Sequence, residues 1–108
     1  MAQDFERDIQ RNVGTSSVVL RTADSDDAII SVRCANIITS TINVDVFILN
    51  GGNEHKLIKG APIVPGGSLE LIDGGSKIVL QSGDQLKARS DTASSLDIIS
   101  SFVDAIST

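Results

Sequence analysis

Residues 42 to 50 read Ile-Asn-Val-Asp-Val-Phe-Ile-Leu-Asn, with Ile42, Val44, Val46 and Ile48 at every second position and Asn43 and Asp45 between them. A period of two is the side-chain period of an extended strand, whose alternate residues face opposite sides of a sheet, and it does not match the turn of a helix. The run predicts a strand with one buried face. Phe47 and Leu49 interrupt the polar face toward the C-terminal end, so that end is expected to be covered on both sides, by another subunit or by the N-terminal segment.

The rest of the chain from Val18 onward is rich in Ile, Val and Thr, and it predicts strands over Val18–Thr22, Ala28–Asn36, Ile42–Asn50, His55–Lys59, Ser68–Ile72, Lys77–Gln81, Gln85–Ser90 and Leu96–Val103. Eight of the nine glycines lie between Gly51 and Gly83. They fall mostly in Asn50-Gly51-Gly52-Asn53, Pro65-Gly66-Gly67, Asp73-Gly74-Gly75 and Ser82-Gly83-Asp84, residue types that accept the positive φ of tight turns. Short strands repeating about every 8–12 residues predict a single antiparallel β-sandwich, jelly-roll or Ig-like, of about eight strands. The C-terminal piece is ambiguous, because Ile98, Ile99, Phe102, Val103 and Ile106 also fit a helical face; its β-branched content favours the strand. Ile42, Val44, Val46, Ile48, Leu69, Leu71, Val79, Leu86 and Ile98 are the expected core between the two sheets.

A chain of 108 residues holds one such domain. We assign 18–108 to the sandwich and 1–17 to an extended N-terminal arm. In the arm, Phe5, Ile9 and Val13 recur at a spacing of four, among charges of both signs. So few apolar side chains cannot offset an ordering cost of roughly 1–2 kcal/mol per residue. The arm is therefore expected to order on a neighbour, with Phe5, Arg7, Ile9, Arg11 and Val13 as its partner-binding residues.

Composition excludes several classes of function. With hydrophobic residues at 41% and charged residues at 21%, the chain is not a disordered tail. Three Phe and no Tyr or Trp leave no stacking platform for single-stranded nucleic acid or sugar rings. A net charge of -5 works against binding to phosphate backbones and anionic lipid, so neither a nucleic-acid nor a membrane partner is expected. Apolar runs stop at three or four residues, and the opening Met1–Gln10 lacks the apolar stretch of a secretory signal. The single Cys34 cannot form an internal disulfide, and without a second Cys or a His nearby it reads as a small buried hydrophobe.

Residues that could carry chemistry are sparse. Asp24, Asp26 and Asp27 form the densest carboxylate cluster, but the segment lacks the Gly and the distal Glu of an EF-hand loop and reads as a solvated turn. His55 is the only histidine; it has no Gly-x-Ser-x-Gly serine to activate and is expected to lie exposed at a strand start. Gly66-Gly67 and Gly74-Gly75 lack the Lys-Ser/Thr ending of a phosphate loop and read as turns. Lys56, Lys59, Lys77, Lys87 and Arg89 concentrate positive charge in the second half, opposite the aspartates of 24–27, a polarity suited to self-association or to docking on a charged protein surface. No catalytic residue, cofactor, metal or small-molecule substrate is expected.

From Ala61 to Phe102 the chain presents a Pro-Gly turn leading into a Ser-Leu strand (Pro65 to Leu71), a Lys-Ile-Val-Leu strand (Lys77 to Leu80), the Gly83-Asp84 turn, a Leu-Lys-Ala strand (Leu86 to Ala88) and a final hydrophobic strand (Leu96 to Ser101). Together with the opening Phe5, Arg7, Asp8, Asn12, Val13 and Gly14, this resembles small virion structural proteins of tailed bacteriophages, especially those of marine and cyanobacterial hosts. The ending Asp-Ala-Ile-Ser-Thr departs from the aromatic-acidic ending of that group. The resemblance implies a non-enzymatic component of the virion, made in the host cytoplasm. It would be a capsid decoration or cement protein on coat subunits, or alternatively a neck, tail or baseplate accessory, in either case a homo-oligomer. A glycan-binding sandwich module is the reading from a different class, and the scarcity of aromatics counts against it.

Overall fold

The computed structural model describes residues 4–72 and 78–104. They form β1 (Asp4–Val13), β2 (Val18–Thr22), β3 (Asp27–Asn36), β4 (Ile42–Asn50), β5 (Asn53–Ile63), β6 (Ser68–Glu70), β7 (Ile78–Leu80), β8 (Gln85–Ser90) and β9 (Leu96–Asp104). All pairings are antiparallel, in one sheet of order β1-β9-β3-β6, with β7 also on β3, and a second of order β2-β8-β4-β5. The fold is the expected all-β sandwich, with nine strands among the described residues instead of about eight.

The bounds of β2, β4 and β8 are those expected from the sequence, and 96–104 is strand with Leu96, Ile98, Ser100 and Phe102 alternating inward. The strand expected over His55–Lys59 extends to Asn53–Ile63. Gly60, at φ 64°, absorbs an irregularity in the pairing with β4, and its N–H donates to Asp45 Oδ1 at 2.7 Å. Pro62 is tolerated because β5 is an edge strand. The expected turn Asp73-Gly74-Gly75, Lys77 at the start of the next strand, and Ile106 at the end of the C-terminal helical stripe lie outside the described residues.

The inner faces meet in a core that includes Ile42, Val44, Val46, Leu86 and Ile98, with Ile48, Leu69 and Leu71 packed at its margin. Val79 is a correction: it is 48% exposed, and its neighbours Ile78 and Leu80 face inward. Three consecutive apolar residues carry no alternation to read, and the facing is set by pairing with β3, where Val79 stands opposite Ala28.

Residues 4 to 13, expected to be an arm outside the sandwich, form edge strand β1, paired with β9 from Asp4↔Asp104 to Gln10↔Ile98. An edge strand needs few apolar residues, because β9 satisfies one backbone edge and its outward face can stay in water. Side chains latch it to the opposite sheet: Glu6 pairs with Arg21 of β2, and Gln10 Nε2 donates to the Val19 carbonyl at 3.3 Å. Asn12, at φ 55°, lies within a register shift between Gln10 and Val13. Strict alternation would put Val13 on the outward face with Phe5 and Ile9; the bulge turns it inward, opposite Leu96, where it is 2% exposed. Val13 is thus a core residue and not a partner-binding one.

Candidate functional site

Directly paired residues in antiparallel strands share a face, so the register defines what the first sheet shows to solvent. One cross-strand row runs Phe5, Val103, Ala28, Val79 through β1, β9, β3 and β7. A second runs Ile9, Ile99, Arg33, Glu70 through β1, β9, β3 and β6. Between them lie Arg7 and Ser101, with Ile30 raised by a bulge in β3. Phe5 is 82% exposed and Ile9 53%; Ile99, Val79 and Ile30 are exposed as well. A shallow cavity of about 430 Å³ opens beside Phe5, Arg7 and Ser101. Arg33 and Glu70 pair at 2.7 Å, whereas none of the ion pairs among the described residues engages Arg7 or Arg11. The structure thus brings Phe5, Arg7 and Ile9 onto one outward face and leaves Arg11 exposed at its margin. Ile99, Val103 and Val79 belong to the same face and were missed in the sequence, because only the register places Ile99 and Val103 beside Ile9 and Phe5, and Val79 beside Ala28, residues far earlier in the chain.

The outward face of the second sheet is closed. Phe47 is 1% exposed and lies outside the core cluster. Lys56 Nζ stands 4.9 Å from its ring centroid and the Arg89 guanidinium 5.0 Å, so cationic side chains cover it, and neither a subunit nor the N-terminal segment does. Those cations are held in turn: Arg89 bonds Asp45 at 3.0 Å and Glu54 at 3.3 Å, and Lys56 bonds Glu54. Hydrogen bonds from Lys56 and Arg89 hold the Glu54 carboxyl below its usual range.

At one end of the sandwich Arg21 of β2 gathers carboxylates from three strands of the opposite sheet, β1, β3 and β9. It bonds Glu6, Asp27 Oδ2 at 2.9 Å and Asp104 Oδ1 at 3.2 Å, and lies 5.4 Å from the Phe102 ring centroid. Burial alone would lower the Arg21 pKa, but its hydrogen bonds to Asp27 and Glu6 outweigh that and raise it. Of the aspartates expected in a solvated turn, Asp24 is exposed and Asp27 fully buried, and their carboxylates come within 4.8 Å of Asp104. This is the one grouping of potential metal ligands among the described residues, and the guanidinium already supplies positive charge to two of the three.

Cys34 is fully buried, and burial pushes its thiol up to about 12, which leaves no thiolate for nucleophilic chemistry. His55 lies exposed in β5 opposite Ile48. Lys59 is exposed, and Lys87 stands between Val19 and Phe47 in the second sheet. Gly66-Gly67 form the turn closed by the Gly67 N–H on the Val64 carbonyl at 2.9 Å. Lys77 and Gly74-Gly75 lie outside the described residues. No protein-family model matches the chain, and no curated protein or solved structure matches it.

Proposed function

We propose that this chain is a structural protein of a tailed-phage virion, a capsid decoration or cement protein whose open sheet face packs against a neighbouring subunit on the particle. The observation that carries the reading is the outward face of β1, β9, β3 and β7, where Phe5, Ile9, Ile99 and Val79 lie in water on a domain whose other outward aromatic is covered. Large exposed apolar side chains grouped on one flat face mark protein contact surfaces. The buried thiol, the exposed lone histidine and the Arg21-filled carboxylate cluster favour a binding role over a catalytic one. The resemblance to small virion proteins over most of the chain supplies the biological setting. A subunit repeated many times over a capsid converts weak contacts into a firm clamp.

The test is the amount of the chain in purified particles of the virus that encodes it, measured by quantitative mass spectrometry against the coat protein. Hundreds of copies per particle are expected. A small ring-like number would move the assignment to the neck or tail, and absence from particles would overturn the virion reading.

A further inference from the structure

We infer that the subunit packed on the open face is a second copy of this chain, related by a two-fold axis that runs parallel to the strands between β9 and β3. The inference names the neighbour in the reading above and rests on that face. Its extent is sufficient. Strands β1, β9 and β3, of nine or ten residues, are about 33 Å long, and with the three-residue β6 and β7 beside β3 the columns, about 4.8 Å apart, span some 14 Å between their axes and about 19 Å with side chains. The face is thus on the order of 600 Å² in projection, near the roughly 800 Å² per partner of a standard interface once side-chain relief is included.

Half of the face complements itself about that axis, while in the second row Ile9 and Ile99 come over the side-chain stems of Glu70 and Arg33. Rotation places β1 of one copy over β7 and β6 of the other, and β9 over β3. Phe5, the most exposed large apolar side chain, then meets Val79 of the second copy, and Val103 meets Ala28, so one row is apolar on both sides. Arg7, which no ion pair among the described residues engages, comes one row from Glu70 of the second copy, on the same side of the sheet as the outward-facing Arg33–Glu70 pair. The other face-to-face two-fold, perpendicular to the strands, would stack Phe5 over Ile9 and set Arg7 against Arg7, a like-charge contact on the axis at the β1 edge of the interface. A closed isologous pair covers the face once and leaves no open apolar end.

Sedimentation velocity on the full chain, from low micromolar to several hundred micromolar, together with disulfide trapping, tests this. The wild type is expected to sediment at twice the 11.3 kDa chain mass, and Phe5→Asp and Val79→Asp to sediment as folded monomers with unchanged circular dichroism. A double variant Phe5→Cys, Val79→Cys should give covalent dimers on mild oxidation. The two positions are about 14 Å apart within one chain, with β9 and β3 between them, too far for an internal bridge, and Cys34 is buried. A wild type that is monomeric throughout, dimers that survive both aspartate substitutions, or trapping by Phe5→Cys, Ile9→Cys in place of Phe5→Cys, Val79→Cys would each overturn the inference. A dimer in solution that is missing from particles removes the virion reading alone; a monomer counted in hundreds on particles removes the dimer alone.

Discussion

Phe5 and Phe47 stand on the outward faces of opposite sheets, and the two faces treat an aromatic ring in opposite ways. Phe47 is covered by the stems and charges of Lys56 and Arg89, which Glu54 and Asp45 hold in place. Phe5 has no such cover: the nearest cation on its own strand, Arg7, has no carboxylate to hold it among the described residues, and the ring is 82% exposed. A sheet of this size can therefore close an outward apolar face with its own long charged side chains when carboxylates are in register to anchor them. Where those carboxylates are missing, the face stays open for another molecule.

The sharpest way to break that comparison is to truncate both rings. Phe47→Ala should cost about 3 kcal/mol, at the low end for a buried phenylalanine because the lysine and arginine stems can settle into the space. Phe5→Ala in dilute solution should stay within about 0.5 kcal/mol of wild type. Urea melts of the two variants decide it, and equal losses would mean that the faces do not differ. Val46→Ala, on the inner face directly before Phe47 and 0% exposed, is expected to cost about 1–3 kcal/mol; a wild-type melt would mean that the inward and outward faces of β4 have been exchanged.

A smaller effect separates the regions by pH. Asp84 is held below the ordinary aspartate value of 3.8 by hydrogen bonds from Asn50 and from the Gln81 N–H, and Asp91 is held below it by the Asn43 N–H and Thr92. Both anchor the ends of β4 in the second sheet. A carboxylate with a depressed folded pKa contributes stability above its unfolded value, and that contribution is lost as pH falls through the folded value. Thermal stability should thus hold from neutral pH down to about 4 and then decline, with a shallower decline in Asp84→Asn. An unchanged acid slope in that variant would remove Asp84 from the account. The smallest expected effect is none: with the Arg21 guanidinium at Asp27 and Asp104, chelation should leave the melting temperature where it was. A drop reversed by Ca²⁺ would show that a cation and not Arg21 holds that end together.

Much of the second sheet was legible because its strands alternate. Ile42 to Val46 are apolar and polar by turns, Gln85 to Arg89 likewise, and the strand bounds there match. Where every residue is apolar, as in Ile78-Val79-Leu80, or where charges of both signs surround a thin apolar series, as in Asp4–Val13, a period cannot be read, and the sequence reading inverted the one and detached the other. The candidate site was legible in part. Phe5, Arg7 and Ile9 share a face because they alternate along an extended segment, but the pairing with β9 decides that this face is the outward one, and Val13 leaves it only because Asn12 adopts a left-handed backbone.

The sequence by itself determined that the chain is all-β and where most strands begin and end. These are local properties, set by side-chain period, turn residues and the types of residue present. Only the tertiary structure decided that the N-terminal segment joins the sheet, that Phe47 is covered from within and Phe5 is not, and that Asp104 meets Asp27 at Arg21. Each of those depends on which residues stand opposite one another across strands far apart in sequence, and register is a property of the pairing that no single strand carries.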